Sequence, residues 1–426
     1  MFTRLVESLA ATEPLSRVFS DHSVLQAMLD FEAALARAEA KCGIIPGAAA
    51  EKIAEAARAE GFDLDGLTRL SLRAGTPAIP LVGMLSARVR AADPDAAGFV
   101  HWGATSQDVV DTALVLLLRQ CRGILARDHE RVLAALRRLS DEHADTVMLA
   151  RTLLQPAPPV TFGLKAAGWL AGLRRGWERV CSRFDEALCL QFGGASGTLA
   201  ALGDRGLDAG EVLASLLGLP LPDAPWHAYR DRLAALMAAL SIYTATLGKM
   251  ALDIALLMQF EVAEAAEPGG EGRGGSSAMP HKRNPTACVL ALSAARRVPG
   301  LLADFVGAMV QEHERAAGGW QAEWPLAHGI VQSAGVALES MAEVAEGLTV
   351  DRERMRSNLD ATRGAIFAEK AVMMLAPRLG KEAARKAVED AIRETGAPPG
   401  LPGLDKPEDY LGCAETFRRR LLEGDR

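Results

Sequence analysis

Apolar residues recur along this chain at the three-and-four spacing of an α-helix, over stretches far longer than a globular helix normally runs. From Asp108 to Ala144 the positions Val110, Leu114, Leu117, Cys121, Leu125, Val132, Leu136 and Leu139 keep close to one helical face. This predicts a helix of about 37 residues, roughly 55 Å long at about 1.5 Å per residue. Similar patterns predict long helices over Thr161–Leu190, Tyr229–Phe260, Asn284–Arg315 and His328–Glu346. Segments with strand character are short and scattered, Val147–Leu149 among them. Five long helices with short connections imply an all-α chain organised around a helical bundle.

Breaks in the pattern mark the parts. Residues 1 to about 100 hold shorter helices interrupted by Pro46, Gly61, Pro77, Pro80 and Pro94, residues 101–346 carry the long helices, and residues 347–426 return to short helices with a Pro/Gly patch at Ala397–Gly403. Three mostly helical domains are expected, the bundle in the middle. Leu233–Phe260 is apolar enough to resemble a membrane span, but Lys249 and Asp253 interrupt it and no charge asymmetry flanks it. A helix apolar on all sides also suits the centre of a multi-helix or multi-subunit bundle, and a buried bundle helix is expected.

Composition narrows the function. A chain of 426 residues with 49% apolar residues can bury a large core. A net charge of −7 without a long basic run argues against nucleic acid and against an anionic membrane surface, while leaving room for a local cationic cleft. The six cysteines show no CxxC spacing, so neither a zinc ribbon nor a disulfide framework is suggested. Met1–Ala10 carries Arg4 and Glu7 and leads into no apolar h-region, so a cytoplasmic protein without a secretory signal is expected.

The densest chemistry lies in Gly275–Pro285, GSSAMPHKRNP. A glycine entry leads to two hydroxyls that can move a proton (Ser276, Ser277) and to a cation and an amide that can hold an oxyanion (Lys282, Asn284), with Met279 and His281 between. Four other segments set polar groups beside glycine or proline at the ends of long helices: HWGATSQD (101–108), ARTLLQPAPPVTFGLK (150–165), WHAYRD (226–231) and EHERAAGGWQAEW (312–324). Thr105 and Ser106 suit carboxylate binding at a helix start, or an ordinary N-cap. Other motifs fail on inspection. Gly270–Gly275 meets G-x-G-x-x-G, but an apolar helix precedes it instead of a strand. His313-Glu314 lacks a second histidine at Ala317, so no metal is implied. Gly193–Gly197 has the wrong spacing for a nucleophile elbow and reads as a tight backbone turn.

GSSAMPHKRNP resembles, nearly letter for letter, the signature of the fumarase/aspartase superfamily, and the other four segments follow it in matching order. The resemblance implies three mostly helical domains and a homotetramer whose active sites draw on three subunits. It also implies a small polycarboxylate substrate and no cofactor. Members abstract a proton beside a carboxylate and pass through an aci-carboxylate dianion. By resemblance Ser276 is the proton-transfer residue, with Lys282 and Asn284 stabilising the dianion.

The departures sharpen the expectation. Where amine-expelling relatives carry a proton-donating histidine and its orienting glutamate, this sequence has Leu153 and Val289. A departing amine needs a proton, whereas a carboxylate with a pKa of about 4 reacts as the anion. That fits intramolecular lactonisation, and GATSQDVVDTA, RTLLQ, PWHAYRD and RMRSNLDATRGAIFAEKAVMMLAP look like the bacterial 3-carboxy-cis,cis-muconate cycloisomerases of protocatechuate catabolism. Thr105, Ser106, Arg151, Gln155, Arg230, Ser277, Met279, His281 and Arg297 are the expected substrate contacts; each arginine could equally serve a structural ion pair. His101, His227, His281 and His313 all lie in motif segments and are rivals for proton transfer; a histidine next to tryptophan, as at His101 and His227, is more often a packed residue, and His281 has the best claim to contact substrate. The alternatives are a lyase of the same fold expelling an anionic or amine group from a succinyl-type substrate, and a non-catalytic, crystallin-like relative.

Overall fold

The structure, a computed structural model, describes residues 5–270, 274–275, 279, 282–404 and 406–424. Helix α1 (Asp21–Lys41) is followed by five long helices, α2 (Ser106–Glu142), α3 (Phe162–Ala187), α4 (Asp231–Leu257), α5 (Thr286–Ala308) and α6 (Gly319–Gly347), and then by the short α7 (Arg352–Asp360). The five long helices lie where the apolar period predicts them, except that α5 ends seven residues before the expected Arg315 and α6 begins nine residues before the expected His328. Pro325 interrupts the pattern there yet is accommodated inside the helix. Local chemistry marks the ends of α1: Ser20 accepts from the Ser23 N–H, Asp21 occupies the first turn and Lys41 the last.

The chain divides into two compact units, each built from three stretches of sequence. The first comprises residues 1–127, 177–245 and 294–336. Its core includes the buried face of α1 (Leu25, Met28, Leu29, Phe31, Leu35) and the first turns of α2 (Val109, Ala113, Leu117, Leu118). Asp204 to Leu219 and Gly193 to Gly197 are also part of it, and Gly194 and Gly197 adopt positive φ (68° and 80°), the tight turn expected of that glycine cluster.

The second unit comprises residues 128–176, 246–293 and 337–426. It contains both sheets found among the described residues: strand β1 (Val147–Thr152) pairs antiparallel with β2 (Gln155–Thr161), and β3 (Ala265–Ala266) pairs antiparallel with β4 (Thr349–Val350). Only the start of β1 is legible from sequence, because Pro156, Pro158 and Pro159 argue against a strand. A two-stranded ribbon consists of edges alone and so tolerates them. Val147 and Leu149 pack with Leu359, Ile366, Phe367, Ala371 and Val388, joining the ribbon to the C-terminal helices.

Two helices, α4 and α5, are long and apolar enough to cross a membrane by length and composition. In α4 the apolar stretch is 67% buried, and Asp253 accepts from the Trp169 indole N–H at 2.8 Å while pairing with Lys249. The apolar stretch of α5 is only 28% buried, and Val289 and Val306 stand open on it.

Candidate active site

In the first unit the polar groups gather around the start of α2. Thr105 precedes the helix and Ser106 opens it, both half-buried. Asp108, at the third helical position, reaches back to accept the Thr105 N–H at 3.0 Å, the reciprocal half of a capping box. The same buried carboxylate accepts the N–H groups of Gly193 (3.0 Å) and Gly194 (2.9 Å) and lies 2.7 Å from His227 Nε2. A side chain at Gly193 would collide with Pro225 and His227, so that approach requires glycine. The Thr105 hydroxyl accepts from Arg315 Nη1 at 2.6 Å. Arg315 lies in the EHERAAGGWQAEW segment and is not among the site residues expected from sequence. Among the described residues its hydrogen bond is to this neutral hydroxyl and no carboxylate pairs with it.

Arg230 behaves differently from the expectation. Its side chain is fully buried, donating to Asp111 (2.7 and 3.0 Å) and through Nε and Nη2 to Glu323 (2.9 and 2.7 Å). The Trp226 ring lies 4.7 Å from its guanidinium carbon, Trp320 and Gln107 donate to Asp111, and Gln311 donates to Glu323. With all three guanidinium nitrogens bonded to carboxylates and no exposed side-chain surface, Arg230 serves as a framework ion pair here, which corrects its expected role as a substrate contact. Burial pushes the Glu323 carboxyl upward even with Arg230 beside it. His227 is 3% exposed, a packed residue as expected. His101 Nδ1 lies 2.7 Å from buried Glu32 Oε1; burial pulls the imidazole down, but Glu32 outweighs it and the net shift is upward.

In the second unit, the tip of the β1–β2 hairpin is Leu153-Leu154, at φ 49° and 67° and 96% and 76% exposed. Two-residue turns of this kind favour Asn-Gly, so consecutive leucines there store strain. Arg151, on the adjoining strand, donates to both oxygens of Glu264, which is fully buried and also accepts from Asn358 at 2.8 Å. Gln155 opens β2 with its side chain exposed. Lys282, Asn284 and Met279 come together on the wall of a cavity of about 990 Å³, with Arg283, β3, β4 and Arg352 also lining it. Lys282 and Asn284 also line an adjoining cavity of about 460 Å³. Asn284 N–H bonds to Gly274 C=O at 2.9 Å and its amide donates to Gly275 C=O at 3.3 Å, closing the neck of the signature segment. Ser276, Ser277 and His281 lie outside the described residues. Arg297 is exposed on α5, with no ion pair among the described residues.

Residues 7–300 match the family model described as Lyase. A curated relative from Bradyrhizobium diazoefficiens, a 3-carboxy-cis,cis-muconate cycloisomerase, is 47% identical over 98% of this chain and 97% of its own length. The 3-carboxy-cis,cis-muconate lactonizing enzyme of Pseudomonas putida, a solved structure, superposes with a TM-score of 0.91 at 41% identity over 98% of both chains.

This chain belongs to the fumarase/aspartase superfamily.

A further relative, the nitrosuccinate lyase of Streptomyces davaonensis, is 42% identical over 92% of this chain and 84% of its own length. Within the superfamily the contrast at the two relay positions is now spatial as well as sequential. Leu153 is an apolar hairpin tip, and Val289 is an apolar side chain, 54% exposed, on the first turn of α5. Neither can donate or accept a proton. Glu264 and Arg315 are among the charged residues that the sequence left unassigned. Glu264 lies in an acidic, alanine-rich run with no motif to distinguish it.

Proposed function

We propose that this chain is a 3-carboxy-cis,cis-muconate cycloisomerase, an intramolecular lyase of aromatic-acid catabolism. The observation that carries the reading is a combination: Lys282 and Asn284 border a large cavity while apolar side chains occupy both positions of the amine-protonating relay. A site that stabilises a dianion but lacks the relay used to protonate a departing amine suits a reaction whose nucleophile is a carboxylate.

In that reaction one substrate carboxylate attacks the conjugated double bond of the same molecule and a C–O bond forms. The π electrons move onto the carbon bearing another carboxylate, giving the aci-carboxylate. Lys282 and Asn284 bind its oxygens, and Ser276 delivers a proton to the carbon. Product and substrate are isomers, so the chemistry balances without a redox cofactor. Thr105, Ser106 and Arg315 are suited to a second carboxylate, with Arg151, Gln155, Ser277, Met279, His281 and Arg297 as further candidates.

The same reading includes a soluble cytoplasmic homotetramer whose active sites combine segments from several subunits. The apolar, weakly covered surface of α5 supports self-association.

The test is a metal-free ultraviolet assay with 3-carboxy-cis,cis-muconate, following loss of the conjugated absorbance and identifying the product by NMR. Decay to a carboxymuconolactone is expected. No decay from a folded oligomer would discard the reading in favour of a lyase expelling an anionic group from a succinate frame.

A further inference from the structure

Glu267 follows β3 directly, and its carboxylate accepts the N–H groups of Ala287 at 3.1 Å and Cys288 at 2.7 Å. These are the second and third residues of α5, in the first turn, where backbone donors find no partner within the helix. The residue that would ordinarily cap them is Pro285, which has no side-chain acceptor. The cap comes instead from a carboxylate 20 residues upstream of Ala287.

This contact adjoins the signature segment. Gly274 and Asn284 are joined by the backbone bond at the neck, and Gly274 (φ 61°) admits no side chain, since a Cβ would lie 2.7 Å from the Asn284 carbonyl oxygen. From Asn284 the chain enters the capped turn of α5 within two residues. At the other end, Ala265 pairs with Val350, so the segment leading to Glu267 is anchored in the β3–β4 sheet. Glu267, Lys282 and Asn284 all line the smaller cavity. The buried Cys288 thiol faces the same carboxylate, and burial followed by that carboxylate pushes its pKa up.

We propose that Glu267 is a positioning residue for the reaction: by binding the open end of α5 it holds the backbone carrying Lys282 and Asn284 at the cavity wall. The proposal rests on the cycloisomerase reading for its kinetic consequence. Small displacements of a dianion-binding group are costly to rate, whereas substrate affinity is spread over other contacts.

Glu267→Ala and Glu267→Gln would be compared with the parent enzyme in the muconate assay. The alanine variant is expected to lose kcat by about tenfold or more with KM within about threefold. Formate should restore kcat better than chloride at equal ionic strength, because formate can take the vacated N–H pair. Glutamine keeps one acceptor oxygen and should fall between. An alanine variant within twofold of the parent kcat, or a loss that formate restores no better than chloride, would overturn the proposal. Should the alanine variant fail to fold, the glutamine variant decides: a kcat equal to the parent's overturns the assignment, and a severalfold loss at unchanged KM supports it. Amide hydrogen exchange over residues 282–290 separates this from the substrate question. Faster exchange in the variants is expected whether or not the parent turns over muconate, and unchanged exchange would refute the clamp itself.

Discussion

Arg151 and Glu264 meet in a two-point ion pair, Nη1–Oε2 3.0 Å and Nη2–Oε1 2.7 Å, in which the carboxylate is fully buried and the guanidinium keeps 26% of its side chain exposed. The pair fastens the β1–β2 hairpin to the residue preceding β3, and Asn358 of α7 donates to the same carboxylate. Glu264→Gln replaces an acceptor oxygen with a donor facing Arg151. We expect a loss of about 2 kcal/mol, below the range for a fully buried pair because Arg151 remains partly solvated. Urea unfolding measures it, and an unchanged midpoint would show that the pair contributes nothing.

The hairpin tip gives a prediction of opposite sign. Leu154 sits at φ 67° with its side chain 76% exposed, so it gains little from packing in this chain and bears the cost of a left-handed backbone. Leu154→Gly should stabilise the isolated chain by up to about 1 kcal/mol, by relief of strain offset by the greater freedom of unfolded glycine. A decrease in the oligomer alone would indicate that the leucine packs against another subunit. Leu153→His, which restores the missing relay residue, should bring no gain in lactonisation, and a large gain in kcat would refute the argument that a carboxylate nucleophile needs no acid there.

These two cases also mark what a sequence conveys. Three of the long helices, α2, α3 and α4, are readable to within a few residues because apolar spacing is local and repeated many times over, whereas the end of α5 and the start of α6 differ from the expectation by seven and nine residues. The signature segment was readable from its density of polar groups. Contacts such as Thr105–Arg315, Arg151–Glu264 and Glu267–Cys288 join residues distant in the chain, and no local pattern specifies them. Arg230 illustrates the error that follows: an arginine in a chemically rich segment resembles a substrate ligand until burial and two carboxylate partners are visible.

Lys282 is exposed on the cavity wall beside Asn284, and no partner carboxylate neutralises it among the described residues. A cation that stabilises charge formed only in the transition state should affect kcat more than KM. Lys282→Met is expected to lower kcat by about 100-fold or more with little change in thermal midpoint. A predominantly raised KM at preserved kcat would assign Lys282 to ground-state binding instead.

Arg230 should respond in the opposite way. Asp111 and Glu323 are both fully buried against it. Arg230→Met would leave two carboxylates without their cation, a loss of about 3–5 kcal/mol. The triple variant Arg230→Met, Asp111→Asn, Glu323→Gln removes the uncompensated charges and should recover much of that loss. Chemical unfolding of the single and triple variants provides the comparison. Equal stability of the two would mean that charge is not what the network balances.

Glu39 makes the stability of the protein depend on pH. It is fully buried on α1, and neither carboxylate oxygen has a hydrogen-bond partner among the described residues. Burial, and then the neighbouring Glu32, pushes its carboxyl from 4.5 up to about 9. The folded chain therefore keeps a proton that the unfolded chain releases, so the stabilisation is complete below about pH 4.5 and is lost progressively as pH rises toward 9. On those values the loss reaches about 3 kcal/mol by pH 7, at about 1.4 kcal/mol per unit. Glu39→Gln cannot ionise and should flatten this part of the profile. Its stability relative to the parent should rise steadily between pH 5 and pH 8.5 in urea titrations. A difference that stays constant across that range would mean that Glu39 ionises normally in the folded protein.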